Sequence, residues 1–243
     1  MTELEALRRS VIGTYLGLAR KAPNATVERI EDVWICHSTL RHPIGNFAIG
    51  FDGTTLPEQI VKEAMQKQHF RAFLLPGDRP KDIEQRALAA GLRERYILTG
   101  MILDHPAPDR EEIIEAGDGE SVGRVTGFIT DTFFWRSHRK SRQMLAQIMA
   151  AAHPHHRYFY QEDEFGMVAA GTLTLDAEVI GLYNLCVRGD ARSRGIGSSF
   201  TAELSHRAKA LGEHVALLCD DGLVPWYSRQ GYRQIGSLRA LSA

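Results

Sequence analysis

Apolar positions at helical spacing, Leu4, Leu7, Val11, Tyr15 and Leu18, predict an amphipathic helix over residues 2–22, with Thr2 and Glu5 as its capping box. Apolar residues that alternate or bunch over 25–36 and 46–51 predict strands. Pro57 then stands at the start of a helix over 58–68. A buried strand over 70–75 ends in the turn Pro76-Gly77-Asp78, and a helix from about Lys81 to Ala90, closed by Gly91, leads into a strand over 95–103.

The proline-dense stretch His105-Pro106-Ala107-Pro108-Asp109 falls where the pattern restarts and reads as a linker. It divides the chain into an N-terminal α/β domain, 1–105, and a second domain, 106–243. The second pattern predicts a short strand at 112–116, helices at 120–134 and 141–152, and strands at 157–161, 166–175 and 178–187. A Gly-rich turn, a helix over 196–211, a strand over 214–219, a helix over 224–230 and a last strand after Gly231 complete it. Leu74-Leu75, a turn, a helix and Gly91-Leu92 match the layout of Leu217-Leu218, a turn, a helix and Gly231-Tyr232, so the first half reads as a degenerate repeat of the second. Ala87 stands where the second half has Tyr227, which places the chemistry in the second half.

Composition narrows the function. Across 243 residues, 29 Lys+Arg against 30 Asp+Glu leave a net charge of -1, so no bulk field draws the chain to nucleic acid or anionic lipid. With 44% hydrophobic and 24% charged residues a packed core is expected. No apolar run approaches the roughly 18–20 residues of a membrane span, and Glu3 and Glu5 are acids that a transit peptide avoids. Three widely spaced cysteines, Cys36, Cys186 and Cys219, fit a reducing cytoplasm better than a disulfide framework.

The sharpest chemical feature is Arg192-Ser193-Arg194-Gly195-Ile196-Gly197, placed after a strand and opening a helix whose stripe is Ile196, Phe200, Leu204, Ala208 and Leu211. Side-chain-free glycines and unpaired N–H groups at a helix start make an anion site, which a pyrophosphate would fit. Neither common nucleotide motif accounts for it. Gly197 is followed by Ser198-Ser199 rather than Lys-Ser/Thr, and the third glycine of a dinucleotide fingerprint is absent.

The loop resembles that of the GNAT superfamily of acyl-CoA-dependent N-acetyltransferases, in which Arg or Gln, two residues, Gly, one residue, then Gly or Ala follows the fourth strand. Arg192, Gly195 and Gly197 occupy those places after Tyr183-Asn184-Leu185-Cys186-Val187. Downstream, Pro225-Trp226-Tyr227-Ser228-Arg229-Gln230-Gly231-Tyr232 resembles the family's helix with a tyrosine before a Gly-aromatic pair. The resemblance covers about 110–243 and implies an α/β (α+β) fold with a mixed, mostly antiparallel sheet flanked by helices. It implies acetyl transfer from acetyl-CoA to an amine, from a small molecule or a peptide, by direct attack in a ternary complex. Backbone groups of Leu185 and Val187 would pair with the pantetheine arm, and Val187 N–H would polarise the thioester carbonyl. The loop of Gly195, Ile196, Gly197 and Ser198, with Arg192 and Arg194, would hold the pyrophosphate, and Tyr227 would protonate the departing thiolate.

Three positions depart from the family. Asp220 replaces an Asn, Gly189-Asp190 replaces a Pro-acid pair, and Gly181 stands where some members carry a glutamate base. The base stays open among Glu178, Asp163, Glu164 and a water chain. His153, His155 and His156 lack the partners of a metal set and read as a solvated loop, so no metal is expected. Cys186 and Cys219 have no activating neighbour, and the run Arg136-Ser137-His138-Arg139-Lys140-Ser141-Arg142 reads as a solvated helix surface or a contact for an acidic substrate. The competing functional reading is a CoA-binding regulatory or scaffold protein without catalysis.

Overall fold

Thr2 caps the first helix as its sequence predicts: its side chain accepts from Glu5 N–H while Glu5 returns a carboxylate to Thr2 N–H. In the computed structural model residues 1–30, 33–52, 58–78, 82–108 and 112–243 are described, and the expectations placed on Pro57, Lys81 and Asp109 lie outside them. Two compact units emerge. The first comprises Met1–Met101, Leu218–Val224 and Gln234–Ala243, the second Ile102–Leu217 and Pro225–Arg233.

In the first unit α1 (Glu3–Ala19) is followed by β1 (Thr26–Ile30), β2 (Val33–His37) and β3 (Phe47–Ile49). The stretch expected to be one strand over 25–36 is two, antiparallel with Thr26 opposite His37 and Ile30 opposite Val33. Its apolar run is continuous only from Val33; Thr26–Ile30 carries Glu28 and Arg29 and stays largely exposed. Next come α2 (Glu58–Gln66), β4 (Arg71–Leu74), α3 (Ile83–Ala89) and β5 (Arg93–Leu103), and β4 pairs parallel with β3. Val33, Ile35, Phe51, Ile60, Phe70, Ile83 and Leu92 form one buried cluster, each large side chain stabilising by about 1.5–3 kcal/mol. Tyr15 from α1 packs its ring 4.7 Å from Phe73 and 5.5 Å from Phe47.

The second unit holds β6 (Ile114–Glu115), α4 (Gly119–Phe133), α5 (Arg139–Ala151), β7 (His156–Asp163), β8 (Gly166–Asp176), β9 (Val179–Val187), α6 (Ile196–Leu211), β10 (His214–Cys219) as far as Leu217, and α7 (Val224–Arg229) from Pro225. Its strand order is β10-β9-β8-β7-β6, antiparallel except for β10 on β9. On α6 the expected stripe buries Phe200, Leu204 and Ala208, while Leu211 at the end of the helix is exposed. The final strand, β11 (Tyr232–Ser242), sits between β4 and β5 in the first unit, with Arg239 opposite Leu74 and Leu241 opposite Ala72. That unit reads β1-β2-β3-β4-β11-β5. The mixed, mostly antiparallel sheet flanked by helices is therefore present, and both units contain a parallel pair joined through a helix.

Candidate active site

The site grows from an interruption in strand pairing. β9 and β10 pair parallel only where Val179, Ile180 and Gly181 face His214, Val215 and Ala216, yet β9 runs on to Val187. Along that stretch β9 is bulged: the register with β8 passes from Cys186 opposite Ala170 to Tyr183 opposite Thr172, leaving Asn184 and Leu185 to face Gly171. Asn184 takes a left-handed φ of 54° and its amide donates to Thr172 Oγ1 at 3.2 Å. An Asn inside an otherwise apolar strand run was the available signal, because Asn tolerates that conformation and disfavours regular strand.

Arg188 N–H donates to Val168 O on β8 at 2.8 Å. Strand alternation then turns the N–H and C=O of Val187 away from β8, toward the side where pairing with β10 has ended. The Val187 carbonyl is met there by Arg192, whose Nε donates to it at 3.2 Å, so Arg192 braces the strand end as well as flanking the loop. Leu185, two residues earlier, is half-buried on the same stretch.

Gly195 starts α6 with a φ of 86°, left-handed backbone that favours glycine, and a side chain there would meet open space. Ser198 and Ser199 N–H groups close the turn on Gly195 O at 2.9 and 3.1 Å. The N–H groups of Gly195, Ile196 and Gly197 precede those bonds, and among the described residues they have no backbone acceptor. Arg192, Arg194 and Gly195 are exposed, so charge and donors face solvent at the positive end of a 16-residue helix. A Cβ on Gly197 would lie 3.4 Å from Val187 Cγ2 and 3.7 Å from Trp226 Cζ2, which brings the strand end, the loop and α7 together. Trp226 is the contact that sequence reasoning left unassigned.

Tyr227 follows on α7, 6% exposed, its ring 4.7 Å from Trp226 and 5.7 Å from Tyr232 in edge-on arrangements. Tyr232 is bonded at 2.8 Å to Ser205 on α6, and burial raises its phenol well above the usual range. It is fixed as a packing residue behind Tyr227. Gly231, at φ 90°, leaves no room for a side chain because a Cβ would overlap the His105 carbonyl oxygen.

The candidate bases separate on geometry. Glu178 precedes β9 at the end opposite Val187, a strand length of about 30 Å. Asp163 is taken by Arg188, which bridges it at 2.7 and 3.1 Å, and that pairing holds its carboxyl below the usual range. Glu164 lies exposed in the β7–β8 turn. His156, expected in a solvated loop, is instead a buried residue of β7 whose Nδ1 is 3.1 Å from Thr174 Oγ1, and burial pushes its pKa down to about 3. The cysteines are buried and free. Burial raises Cys186 to about 12 and Cys36 and Cys219 to about 11, so none is an activated thiolate. Among the described residues no group of three or more His, Cys, Asp or Glu could hold a metal ion, and no helix is long and apolar enough to cross a membrane.

Known structures share this fold. A GCN5-related N-acetyltransferase from Kribbella flavida superimposes with a TM-score of 0.66 at 15% identity over 96% of this chain and 94% of its own. A functionally unknown conserved protein from Staphylococcus epidermidis gives 0.63 at 14% identity over 90% and 94%. A tandem GNAT protein from the clavulanic acid biosynthesis pathway gives 0.58 at 14% identity over 99% and 93%. These likenesses extend over the N-terminal half, which has a GNAT-like fold of its own, and at such identities they speak to fold. No curated protein sequence matches the chain. The Acetyltransferase (GNAT) domain family matches residues 119–240, a span that holds the bulged strand, the glycine loop and Tyr227. With that match the chain belongs to the GNAT acetyltransferase family.

Proposed function

We propose that the chain is an N-acetyltransferase that moves an acetyl group from acetyl-CoA to an amine by direct attack in a ternary complex, with the chemistry in residues 106–243. The observation that carries this reading is the continuity of an unpaired strand edge ending at Val187, a left-handed glycine turn with outward N–H groups, and Tyr227 on the neighbouring helix. Free buried cysteines suit a reducing cytoplasm as its location.

Each group has a physical task. The N–H groups of Gly195, Ile196 and Gly197, with Ser198 beside them and the charges of Arg192 and Arg194, would hold the pyrophosphate of acetyl-CoA. Leu185 and Val187 would pair with the pantetheine arm as a strand would. The thioester supplies an activated carbonyl and a thiol leaving group. Val187 N–H, directed to the open edge, would donate to the carbonyl oxygen as it gains charge. Tyr227 holds the proton that the leaving sulfur needs, since a phenol stays protonated at neutral pH. The amine must arrive neutral, and Glu164 or water takes its proton, because Glu178 is remote and Asp163 is occupied.

Calorimetric titration of acetyl-CoA into the wild type and Gly197→Trp tests the reading. Space at Gly197 is limited by Val187 and Trp226, so an indole should fill the loop and lower affinity at least 100-fold while circular dichroism is unchanged. Absence of binding to the wild type would overturn the donor assignment. Tight binding without thiol release in the presence of amines would favour the non-catalytic CoA-binding reading.

A further inference from the structure

The connector between α4 and α5 carries a charge arrangement that folding does not explain. Residues 135–140 are exposed throughout, with Trp135 at 65%. Arg136, Arg139 and Lys140 crowd the N-terminal end of α5, whose first turn contains no acid. Cations at that end oppose the helix dipole. Among the described residues no carboxylate forms an ion pair with any of the three. The neighbouring Arg142, by contrast, is fully used, donating to Asp131 at 2.6 Å and to Ser137 O at 2.6 Å, which ties the connector to α4. Arg136 is held over the Trp135 ring at 4.7 Å, so the patch is ordered by its own contacts.

Its position relates it to the reacting end of β9. Thr132, in the last turn of α4, lies beside the Cys186 thiol, and Cys186 precedes Val187. Three residues of chain, at most about 10 Å, separate Thr132 from Trp135. The patch therefore begins within about 10 Å of the residue beside Cys186 and lies within the same unit as the strand end.

We propose that the amine acceptor carries an anionic group, carboxylate or phosphate, bound by Arg136, Arg139 and Lys140 beside Trp135. This rests on the acetyltransferase reading above. Unpaired cations set against a helix dipole are relieved by an incoming anion, and such a charge would orient its amine toward Val187 without changing the donor site.

Amines matched except at the anion test it, with rates referred to the neutral-amine fraction of each: phosphoethanolamine against ethanolamine, and glycine against glycinamide, in a thiol-release assay with acetyl-CoA. The anionic member of at least one pair should have a kcat/KM at least tenfold higher, and the two pairs distinguish phosphate from carboxylate. The triple variant Arg136→Glu, Arg139→Glu, Lys140→Glu should bring that ratio to about one through KM, with acetyl-CoA affinity by calorimetry within twofold of wild type. Equal or better use of the neutral members overturns the proposal, as does a triple variant that keeps the ratio or loses acetyl-CoA affinity. If no amine is turned over, phosphoethanolamine and glycine are titrated against the emission of wild type and Trp135→Phe in saturating acetyl-CoA. A change confined to the wild type supports the proposal. No change there, with acetyl-CoA still bound, overturns the anion site alone, whereas failure to bind acetyl-CoA overturns the donor reading beneath it.

Discussion

The two parallel strand pairs, β3 with β4 and β9 with β10, have the same construction and opposite endings. Each is joined through a helix, and each second strand leads through a turn and a short helix to a left-handed glycine, Gly91 in one and Gly231 in the other. Beyond β9 the edge is unpaired and the loop offers N–H groups and arginines. Past β3 and β4 a side chain from α1 is tied to two acids: Arg8 reaches Asp52 at 2.7 Å and also pairs with Asp78, which accepts Leu75 N–H at 2.6 Å. Two aspartates there would not favour a pyrophosphate, and Ala87, fully buried, stands four residues before Gly91 as Tyr227 stands four before Gly231. One scaffold has thus been kept twice, and on the proposed reading a handful of side chains separates the copy that takes an acyl donor from the copy that does not.

The largest effect separates the two glycines. At Gly91 an added methyl meets only Met65 at 3.7 Å, so Gly91→Ala costs the left-handed backbone alone, about 1 kcal/mol. At Gly231 the same conformation is compounded by overlap with the His105 carbonyl, and backbone cannot step aside cheaply. Gly231→Ala should cost at least about 4 kcal/mol or leave no folded protein. Urea denaturation of both variants checks this, and equal losses would show that the two turns are held alike.

Next in size is the closed pair's response to pH. Burial pushes the Asp78 carboxyl up to about 6, against the pull of Arg8 and of the Leu75 N–H. Because the folded value lies above the unfolded value of about 3.9, folding favours the protonated acid. That contribution is whole below pH about 4 and is lost as pH rises through 6, a decline of at most about 3 kcal/mol. Asp78→Asn should flatten this slope in urea midpoints measured from pH 4 to 7, leaving Arg8 on Asp52. A wild type that instead gains stability across the window would mean that the ion pair outweighs burial.

Much of this comparison was legible in the chain. Helix and strand periods placed nearly every element, and α6 begins and ends where its glycines, 195 and 212, suggest. The glycine turn before α6 and the helix of Tyr227 could be placed because their spacing is local. Long-range pairing could not: nothing between Tyr232 and Ser242 states that β11 will lie between β4 and β5, since alternation specifies a face and not a partner. The split of 25–36 into two strands was hidden by propensities that β1 and β2 share. His156 shows the same limit, as its neighbours His153 and His155 suggest a polar loop while burial is decided by Thr174 across the sheet.

Tyr227 gives the smallest and most specific contrast. Its phenol is the one hydroxyl on α7 that the helix buries; Ser228 is exposed. Tyr227→Phe keeps the ring packed on Trp226 and Tyr232 and removes the hydroxyl of the proposed acid, so acetyl-CoA affinity should stay within twofold of wild type. Turnover should fall about 100-fold, about 2.7 kcal/mol in the barrier, the usual size of one acid's contribution. The loss should shrink with an acyl donor whose thiol is more acidic, because a better leaving group needs less help from a proton. Equal losses for both donors would assign Tyr227 to packing, as a larger analogue of Ala87, and return the question of the acid to solvent. A loss that tracks the acidity of the thiol would place the functional difference between the two copies at this hydroxyl.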